Sequence, residues 1–258
     1  MKVVIFAGGK GTRISEESHL RPKPMVEIGG KPILWHIMKY YAAFGHTEFI
    51  ICLGYKGYVI KEYFLNYFIH NADVTVSLDT NQVEVHNSEA ESLKVTLVET
   101  GLETMTAGRL KRVQRYVGNE TFMLTYGDGL SNIDMKEQLA FHQSHGKNVT
   151  MTIVNPGSRF GMIRLDATNK VTQFAEKPKE DGAWINGGFF ICQPDIFNYL
   201  HDDADDIMFE RQPLEDLTAD GQLMAYKHHE FWKCMDTLRD NVQLNEMWED
   251  SPKWKNWV

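Results

Sequence analysis

The feature that most constrains the fold is an apolar run, VVIF at residues 3–6, followed at once by AGGKGTR. A short and nearly continuous apolar run is typical of a strand covered on both faces. A turn needs one glycine, whereas this loop places three within residues 8–11 and ends in a hydroxyl and a guanidinium. We interpret it as a loop whose exposed N–H groups can cradle anionic oxygens, with Arg13 able to contact two of them. A tight turn without a ligand is the alternative.

Two better-known phosphate-binding motifs do not fit this loop. The dinucleotide-binding pattern Gly-x-Gly-x-x-Gly, counted from Gly9, requires a glycine where the chain has Ile14. The Walker pattern needs Gly-Lys followed by Ser or Thr, and neither GKG at 9–11 nor GKP at 30–32 supplies it. The sequence therefore disfavours a dehydrogenase and a Walker-type nucleotidase.

Strands and helices alternate along the first part of the chain. KPILWHIMKYYAAFG is a helical pattern with Pro32 near its start and Gly45 at its end, EFIICLG is a second apolar strand, and KGYVIKEYFLNYF is a second amphipathic helix. Such alternation predicts a parallel sheet with right-handed crossovers. Later, NVTMTIV, FGMIRLD, KVTQFAEKP and WINGGFFIC resemble a mixed sheet. The sequence thus predicts an α/β fold with a mixed, mostly parallel sheet.

Composition excludes several function classes. The chain has 258 residues and a net charge of −8, which argues against a partner such as nucleic acid or an anionic membrane. Cys52, Cys192 and Cys234 are isolated and match no zinc or redox spacing, as expected of reduced thiols in a cytoplasm. No stretch reaches transmembrane length. We expect a soluble cytoplasmic protein.

One lysine and two aspartates are candidates for chemistry. Pro22 and Pro24 predict that Lys23 is held in an extended segment, from which it can reach a phosphate; a solvated loop lysine is the alternative. Asp128 in TYGDG follows an apolar strand, where ligands gather in open α/β sheets, although Gly-Asp-Gly also fits a turn. Asp236 in CMDTLRD could simply cap the final helix.

Several motifs together resemble the sugar-1-phosphate nucleotidylyltransferases: AGGKGTR, RPKPMVEIGGKPIL, TYGDG, EKP and INGGFF. Within that family, SEESHLRPKP, ETMTAGRLKR and FWKCMDTLRD most resemble the members that use CTP and glucose 1-phosphate. The resemblance implies a single nucleotidyltransferase domain over residues 1–258 with a Rossmann-like nucleotide-binding core. It assigns about 1–130 to a nucleotide-binding half and 131–258 to a sugar-binding and C-terminal half. It also implies Mg²⁺ and a homo-oligomer, a hexamer in the members most similar.

The same resemblance assigns residues to the nucleotide and the metal. Arg13 and Lys23 would be catalytic and stabilise charge in the transition state. Asp128 and Asp236 would bind Mg²⁺, which carboxylates and phosphate oxygens commonly hold together. The full nucleotide-binding set would be Phe6, Ala7, Gly8, Gly9, Lys10, Gly11, Thr12, Arg13, Lys23, Thr104, Gly108, Arg109 and Asp128.

For the sugar phosphate, the resemblance points to EKP and INGGFF. Glu176 could accept hydrogen bonds from two neighbouring hydroxyls, and Lys177 could meet the phosphate. Asn186 offers both a donor and an acceptor, while Gly161 and Gly187 permit close approach of a ring to the backbone. A surface ion pair is the alternative for Glu176 and Lys177.

The implied reaction is in-line attack of the phosphate of glucose 1-phosphate on the α-phosphorus of CTP, giving CDP-glucose and pyrophosphate. CDP-glucose would feed dideoxysugar synthesis for the bacterial lipopolysaccharide O-antigen. The choice of CTP depends on the resemblance alone, and UTP or dTTP is the first alternative. A regulatory subunit that binds sugar nucleotides without catalysis is the second, although the presence of Arg13, Lys23, Asp128 and Asp236 argues against it.

Overall fold

The computed structural model describes residues 1–11, 21–87, 91–156, 162–165, 171–175 and 184–257. The strands in this part of the chain are β1 Lys2–Phe6, β2 Glu27–Ile28, β3 Lys31–Pro32, β4 Glu48–Leu53, β5 Asp73–Ser77, β6 Gln82–His86, β7 Lys94–Glu99, β8 Phe122–Tyr126, β9 Gly129–Ser131, β10 Val149–Val154, β11 Met162–Leu165, β12 Val171–Ala175, β13 Ile185–Cys192, β14 Leu223–His228 and β15 Trp232–Cys234. The helices are α1 Ile33–Ala43, α2 Gly57–His70, α3 Thr106–Val117, α4 Met135–His145, α5 Gln212–Ala219 and α6 Leu238–Asp250.

Seven strands form the central sheet in the order β14-β10-β13-β8-β1-β4-β7. The pairs β1–β4, β1–β8, β4–β7 and β10–β14 are parallel, and β13 runs antiparallel to both of its neighbours. The predicted α/β fold with a mixed, mostly parallel sheet is therefore confirmed. One detail differs: β11 and β12 were expected within the mixed sheet, but they form a two-stranded sheet of their own.

The continuous apolar run of β1 follows from burial on both faces. Val3 and Ile5 pack into the core that contains α1 and the C-terminal segment. Val4 and Phe6 pack into the second core, which lies against α3. Because side chains alternate along a strand, a strand at the centre of such a sheet needs apolar residues at every position.

The C-terminal segment packs back onto the first core. Trp254 has no exposed surface and stacks near Phe231 and Trp248. His36 on α1 lies within the same aromatic group, and burial lowers its pKa to about 4. Aromatic burial on this scale contributes strongly to core stability. The last helix also contacts the segment that follows Lys23: Asn241 donates to the carbonyl oxygen of Glu27, and Asn245 accepts from the backbone nitrogen of Gly29, each at 2.9 Å.

No helix among the described residues combines the length and the apolar character needed to span a bilayer. Strands from both the 1–130 part and the 131–258 part join the same central sheet. The assignment of one half to the nucleotide and the other to the sugar stays a prediction.

Candidate active site

A cavity of about 410 Å³ opens at the carboxyl ends of the parallel strands β1 and β8 and beside the loop that follows β7. In open α/β sheets this edge is where ligands bind. Among the described residues, the lining consists of residues 6–11, Lys23, Pro24, residues 102–106, Arg109, residues 126–128 and Met208. The predicted nucleotide-binding residues Phe6, Ala7, Gly8, Gly9, Lys10, Gly11, Lys23, Thr104, Arg109 and Asp128 thus surround one space.

The loop after β1 contains glycines for two different reasons. A Cβ at Gly8 would lie 2.2 Å from Nη1 of Arg109 and 3.0 Å from the backbone nitrogen of Gly54, so no side chain fits there. Gly11 adopts a φ of +62°, which favours glycine. Gly9, by contrast, has open space where its Cβ would be. Close packing therefore explains Gly8, and Gly9 leaves the loop backbone accessible from the cavity.

Arg109 is the residue that holds this loop in place. Its side chain reaches from α3 and the residue is 4% exposed. Five oxygens accept from its guanidinium at 2.8–3.3 Å: the carbonyls of Gly8, Leu53, Gly101 and Leu102 and the hydroxyl of Thr100. Burial lowers its pKa from the ordinary arginine value. The guanidinium thus joins the loops that follow β1 and β7 to the last residue of β4; its predicted contact with the nucleotide stays a prediction.

Lys23 begins a short 3₁₀ turn, Lys23–Met25, rather than an extended segment. The difference arises because Pro24 stands at the start of the turn, where its fixed φ is favourable and its missing N–H is not needed. Pro22 still precedes it in an extended conformation. The consequence is a buried lysine whose side chain points into the cavity rather than into solvent. The solvated-loop interpretation of Lys23 is therefore wrong.

The ammonium of Lys23 lies between the two predicted metal ligands. Its Nζ is 2.5 Å from Oδ2 of Asp128 and 2.6 Å from Oδ1 of Asp236. Burial disfavours the charged ammonium, but the charges and hydrogen bonds of the two carboxylates outweigh burial and raise the pKa of Lys23 above its ordinary value. The lysine is therefore protonated across the physiological range, and its single positive charge is shared by the two carboxylates.

A short antiparallel ladder brings the two aspartates together. β9 follows Asp128 and β15 precedes Asp236, and the ladder pairs Gly129 with Cys234. The backbone nitrogen of Met235 also donates to the carbonyl oxygen of Asp128 at 2.9 Å. Two carboxylates distant in sequence thus face one cation because their strands are paired.

The alternative role of Asp236 as a helix cap is wrong. The N-cap of α6 is Thr237, whose hydroxyl accepts from the backbone nitrogen of Asp240 in a capping box. Oδ2 of Asp240 in turn accepts from the backbone nitrogens of Thr237 at 3.0 Å and of Asp236 at 3.2 Å. Asp236 stands one residue before the cap, so its carboxylate remains available to face Lys23.

The donor set fits a divalent cation held jointly by protein and ligand. Two carboxylates already share one positive charge, and Mg²⁺ is commonly bound by one or two carboxylates together with phosphate oxygens. Within the described ranges no group of three or more His, Cys, Asp or Glu side chains could bind a metal by itself. The remaining ligands would therefore have to come from phosphate and water.

Asn186 and Gly187 line a smaller cavity, of about 70 Å³, that adjoins the first. Asp128 and Tyr126 line both spaces. A Cβ at Gly187 would lie 3.0 Å from Val154 and 3.1 Å from the carbonyl oxygen of Thr152, so packing limits this position to a very small residue. These two predicted sugar residues therefore lie on the far side of Asp128 from the glycine loop.

The remaining predicted residues divide into two groups. Gly108 is not among the described residues that line the large cavity: a Cβ there would lie 2.4 Å from Oδ1 of Asp205, which indicates close packing of α3. Its ligand contact stays a prediction. The predicted residues Thr12, Arg13, Gly161, Glu176 and Lys177 lie outside the described residues.

Residues that sequence reasoning did not nominate also line the large cavity. Glu103 forms a salt bridge of 2.7 Å with Lys10, which joins the glycine loop to the loop after β7. Thr106 and Tyr126 form part of the wall. Tyr126 ends the strand before Asp128, and this position was the signal that could have singled it out.

Comparisons with known proteins identify the family to which the chain belongs. The sequence model described as "Nucleotidyl transferase" matches residues 2–257. The chain is 54% identical to the glucose-1-phosphate cytidylyltransferases of Salmonella typhi and Salmonella typhimurium, over 100% of each chain in both cases. A UDP-glucose pyrophosphorylase solved with UDP-glucose matches with a TM-score of 0.67 at 18% identity, covering 96% of this chain and 98% of its own, which shows the fold alone. The chain belongs to the nucleotidyl transferase family.

Proposed function

We propose that this protein transfers a cytidylyl group from CTP to α-D-glucose 1-phosphate and releases CDP-glucose and pyrophosphate. The observation that carries the reaction type is the Lys23 ammonium between Asp128 and Asp236, at the boundary of a glycine-lined cavity and a smaller one. The choice of substrates is supported by 54% identity over the full length of curated glucose-1-phosphate cytidylyltransferases.

The chemistry requires two polyanions to meet, so the site must neutralise charge and fix an in-line geometry. The backbone of the glycine loop would cradle the triphosphate, with Arg13 proposed as a second positive group. Asp128 and Asp236 would hold Mg²⁺, which when bound neutralises and orients phosphate oxygens. Lys23 would turn from the carboxylates toward the reacting phosphates and stabilise the charge that develops there.

The two cavities divide the substrates in a way that suits this reaction. The larger space, with residues 102–106 in its wall, would hold the nucleotide. The smaller one, with Asn186 and Gly187, would hold the sugar phosphate, assisted by Gly161, Glu176 and Lys177. Asp128 lines both, so the sugar phosphate would approach the α-phosphorus at the lysine and the carboxylates.

Three further features are proposed from the family resemblance. We infer that the protein works in the cytoplasm as a homo-oligomer, a hexamer by analogy. Its CDP-glucose would supply dideoxysugars for lipopolysaccharide O-antigen. A site with one well-placed acceptor for the exocyclic amine of cytosine would discriminate against uracil and thymine by about 1–3 kcal/mol.

The test is pyrophosphate release from glucose 1-phosphate with CTP, UTP, dTTP, ATP or GTP, each with and without Mg²⁺. The proposal expects a strong signal for CTP that depends on Mg²⁺. If UTP or dTTP gave the signal in place of CTP, the proposed site residues would still stand, but the choice of CTP as the nucleotide would be wrong. Silence with all five nucleotides, together with nucleotide binding, would instead support a regulatory subunit without catalysis.

A further inference from the structure

Tyr126 forms the partition between the two cavities. It is the last residue of β8, it lies two positions before Asp128, and it lines both spaces. Its ring packs directly on the backbone of Gly188, where a Cβ would lie 2.7 Å from Cδ2 of the tyrosine. Gly188 also has a φ of +79°, so both the close contact with the ring and the backbone conformation favour glycine at this position. Any shift of the tyrosine would therefore disturb the start of β13, which carries Asn186 and Gly187.

The hydroxyl of Tyr126 is fixed by a carboxylate from a distant segment. It donates to Oε1 of Glu210, and the hydroxyl of Thr106 donates to Oε2 of the same carboxylate at 2.7 Å. Thr106 accepts from the backbone nitrogen of Phe209 at 2.7 Å, which closes the connection to the segment that carries Glu210. Glu210 thus accepts from one residue in the wall of the nucleotide cavity and from one in the partition.

The connection continues to the proposed sugar side through the ring of Tyr126, which packs on the backbone of Gly188. The backbone nitrogen of Gly188 donates to Oδ1 of Asn186 at 2.8 Å, so the glycine beneath the ring also holds the Asn186 side chain. The order Thr106, Glu210, Tyr126, Gly188 and Asn186 therefore spans from one cavity to the other.

Glu210 fixes the hydroxyl end of the tyrosine. A carboxylate only accepts, so the Tyr126 hydroxyl donates to Glu210, and this bond holds the ring in its place against Gly188. Without the carboxylate, the hydroxyl would lose this acceptor and the ring could shift on Gly188. A shift of Gly188 would in turn disturb the hydrogen bond between its backbone nitrogen and Oδ1 of Asn186.

We propose that Glu210 is a positioning residue for the sugar-phosphate site: through Tyr126 it fixes the position of Gly188 in β13 and, with it, the orientation of the Asn186 side chain. This inference rests on the proposed function, because it takes Asn186 as a contact of the sugar phosphate. Glu210 itself touches no substrate in this account. Its effect is on the affinity for one substrate and not on the reacting groups.

The test compares Glu210→Ala, Glu210→Gln and Tyr126→Phe with Glu215→Ala, an exposed carboxylate on α5. We expect Glu210→Ala to raise KM for glucose 1-phosphate about tenfold and to leave KM for CTP within about twofold. Glu210→Gln retains one acceptor, so its effect should be smaller. Tyr126→Phe should also raise KM for glucose 1-phosphate, and combining it with Glu210→Ala should add little, as expected of two residues in one chain of bonds. Glu215→Ala should match the wild type.

A lower melting temperature with both KM values unchanged would overturn the inference, because it would make the network merely structural. Equal rises in both KM values, or additive effects in the double variant, would overturn it as well. Failure of the proposed function gives a different result, since the wild type itself would then release no pyrophosphate from CTP and glucose 1-phosphate. Calorimetric titration with CDP-glucose and with CMP adds a readout without turnover: Glu210→Ala should weaken only the first.

Discussion

Two buried cations line the same cavity, and they differ in what surrounds them. The guanidinium of Arg109 contacts five neutral oxygens, four of them backbone carbonyls. The ammonium of Lys23 contacts two carboxylates. The carbonyls are neutral and already accept from the guanidinium, so Arg109 would keep its contacts when a substrate binds. Carboxylates that bind a metal would instead release the lysine. The comparison indicates that Arg109 stabilises the wall of the cavity and that Lys23 takes part in the reaction.

The largest effect should follow from Lys23→Ala. Loss of one preorganised donor in the transition state typically lowers the rate by about 10²–10³, and we expect kcat to fall by that factor while CTP affinity changes far less. Lys31→Ala is the control, because Lys31 packs over the ring of Trp35 away from the two aspartates. Turnover and CTP affinity are to be measured on the same preparations. An unchanged kcat would show that Lys23 takes no part in the chemical step, and the contrast with Arg109 would then be wrong.

Arg109→Lys should act on stability instead. Lysine cannot reproduce the planar fork, so several buried carbonyls lose their donor, and we expect the free energy of unfolding to fall by about 3 kcal/mol. Arg112→Lys on the same helix is the control, since Arg112 is partly exposed. Urea unfolding measures the loss. If CTP affinity falls while unfolding is unchanged, Arg109 contacts the ligand, as the sequence predicted, and is not mainly a scaffold.

Asp236→Asn and Asp240→Asn separate the metal role from the helix cap. The first should raise the Mg²⁺ concentration for half-maximal activity by more than about tenfold, because it removes a proposed ligand. The second should lower the free energy of unfolding by about 1 kcal/mol through loss of the capping box, with a normal Mg²⁺ requirement. Both variants are measured by Mg²⁺ titration of activity and by thermal unfolding. The assignment would be contradicted if Asp236→Asn lowered only the stability and Asp240→Asn raised only the Mg²⁺ requirement.

The smallest effect is the response of Lys23 to alkaline pH. Its pKa in the fold is raised above 10.5, so its contribution to stability is complete below that value and is lost as pH rises through the folded-state pKa. Arginine keeps its charge over this range. The difference in melting temperature between wild type and Lys23→Met should therefore stay constant from about pH 7 to 9.5 and narrow above about 10.5. If the difference in melting temperature already narrowed below about pH 9, the carboxylates would not be raising the pKa of Lys23.

Much of the fold could be predicted from the sequence because it depends on local patterns. The apolar run of β1, the alternation of helix and strand, and the limits of α1 at Pro32 and Gly45 all follow from burial and from the backbone preferences of proline and glycine. The place of Asp128 after an apolar strand likewise predicted a position at the ligand edge of the sheet.

The site could be predicted only in part because its contacts are long-range. The residues Lys23 and Asp236 are separated by more than 200 positions, and the ladder between β9 and β15 that aligns the carboxylates leaves no periodic signal. The sequence also could not decide between Asp236 and Thr237 as the helix cap, because a boundary error of one residue exchanges them. For Arg109, residue type indicates a charge but not which oxygens it faces.

The most direct test of the account is metal binding without nucleotide. If Lys23 balances the charge that a divalent cation would otherwise balance, the lysine competes with the metal. Titration with Mn²⁺, which also prefers oxygen ligands, can be followed by electron paramagnetic resonance in wild type, Lys23→Met and the double variant Lys23→Met with Asp236→Asn. The account predicts about tenfold tighter Mn²⁺ binding in Lys23→Met, with the gain abolished in the double variant. Equal affinity in wild type and Lys23→Met would contradict it, because the lysine and the metal would then not share these two carboxylates.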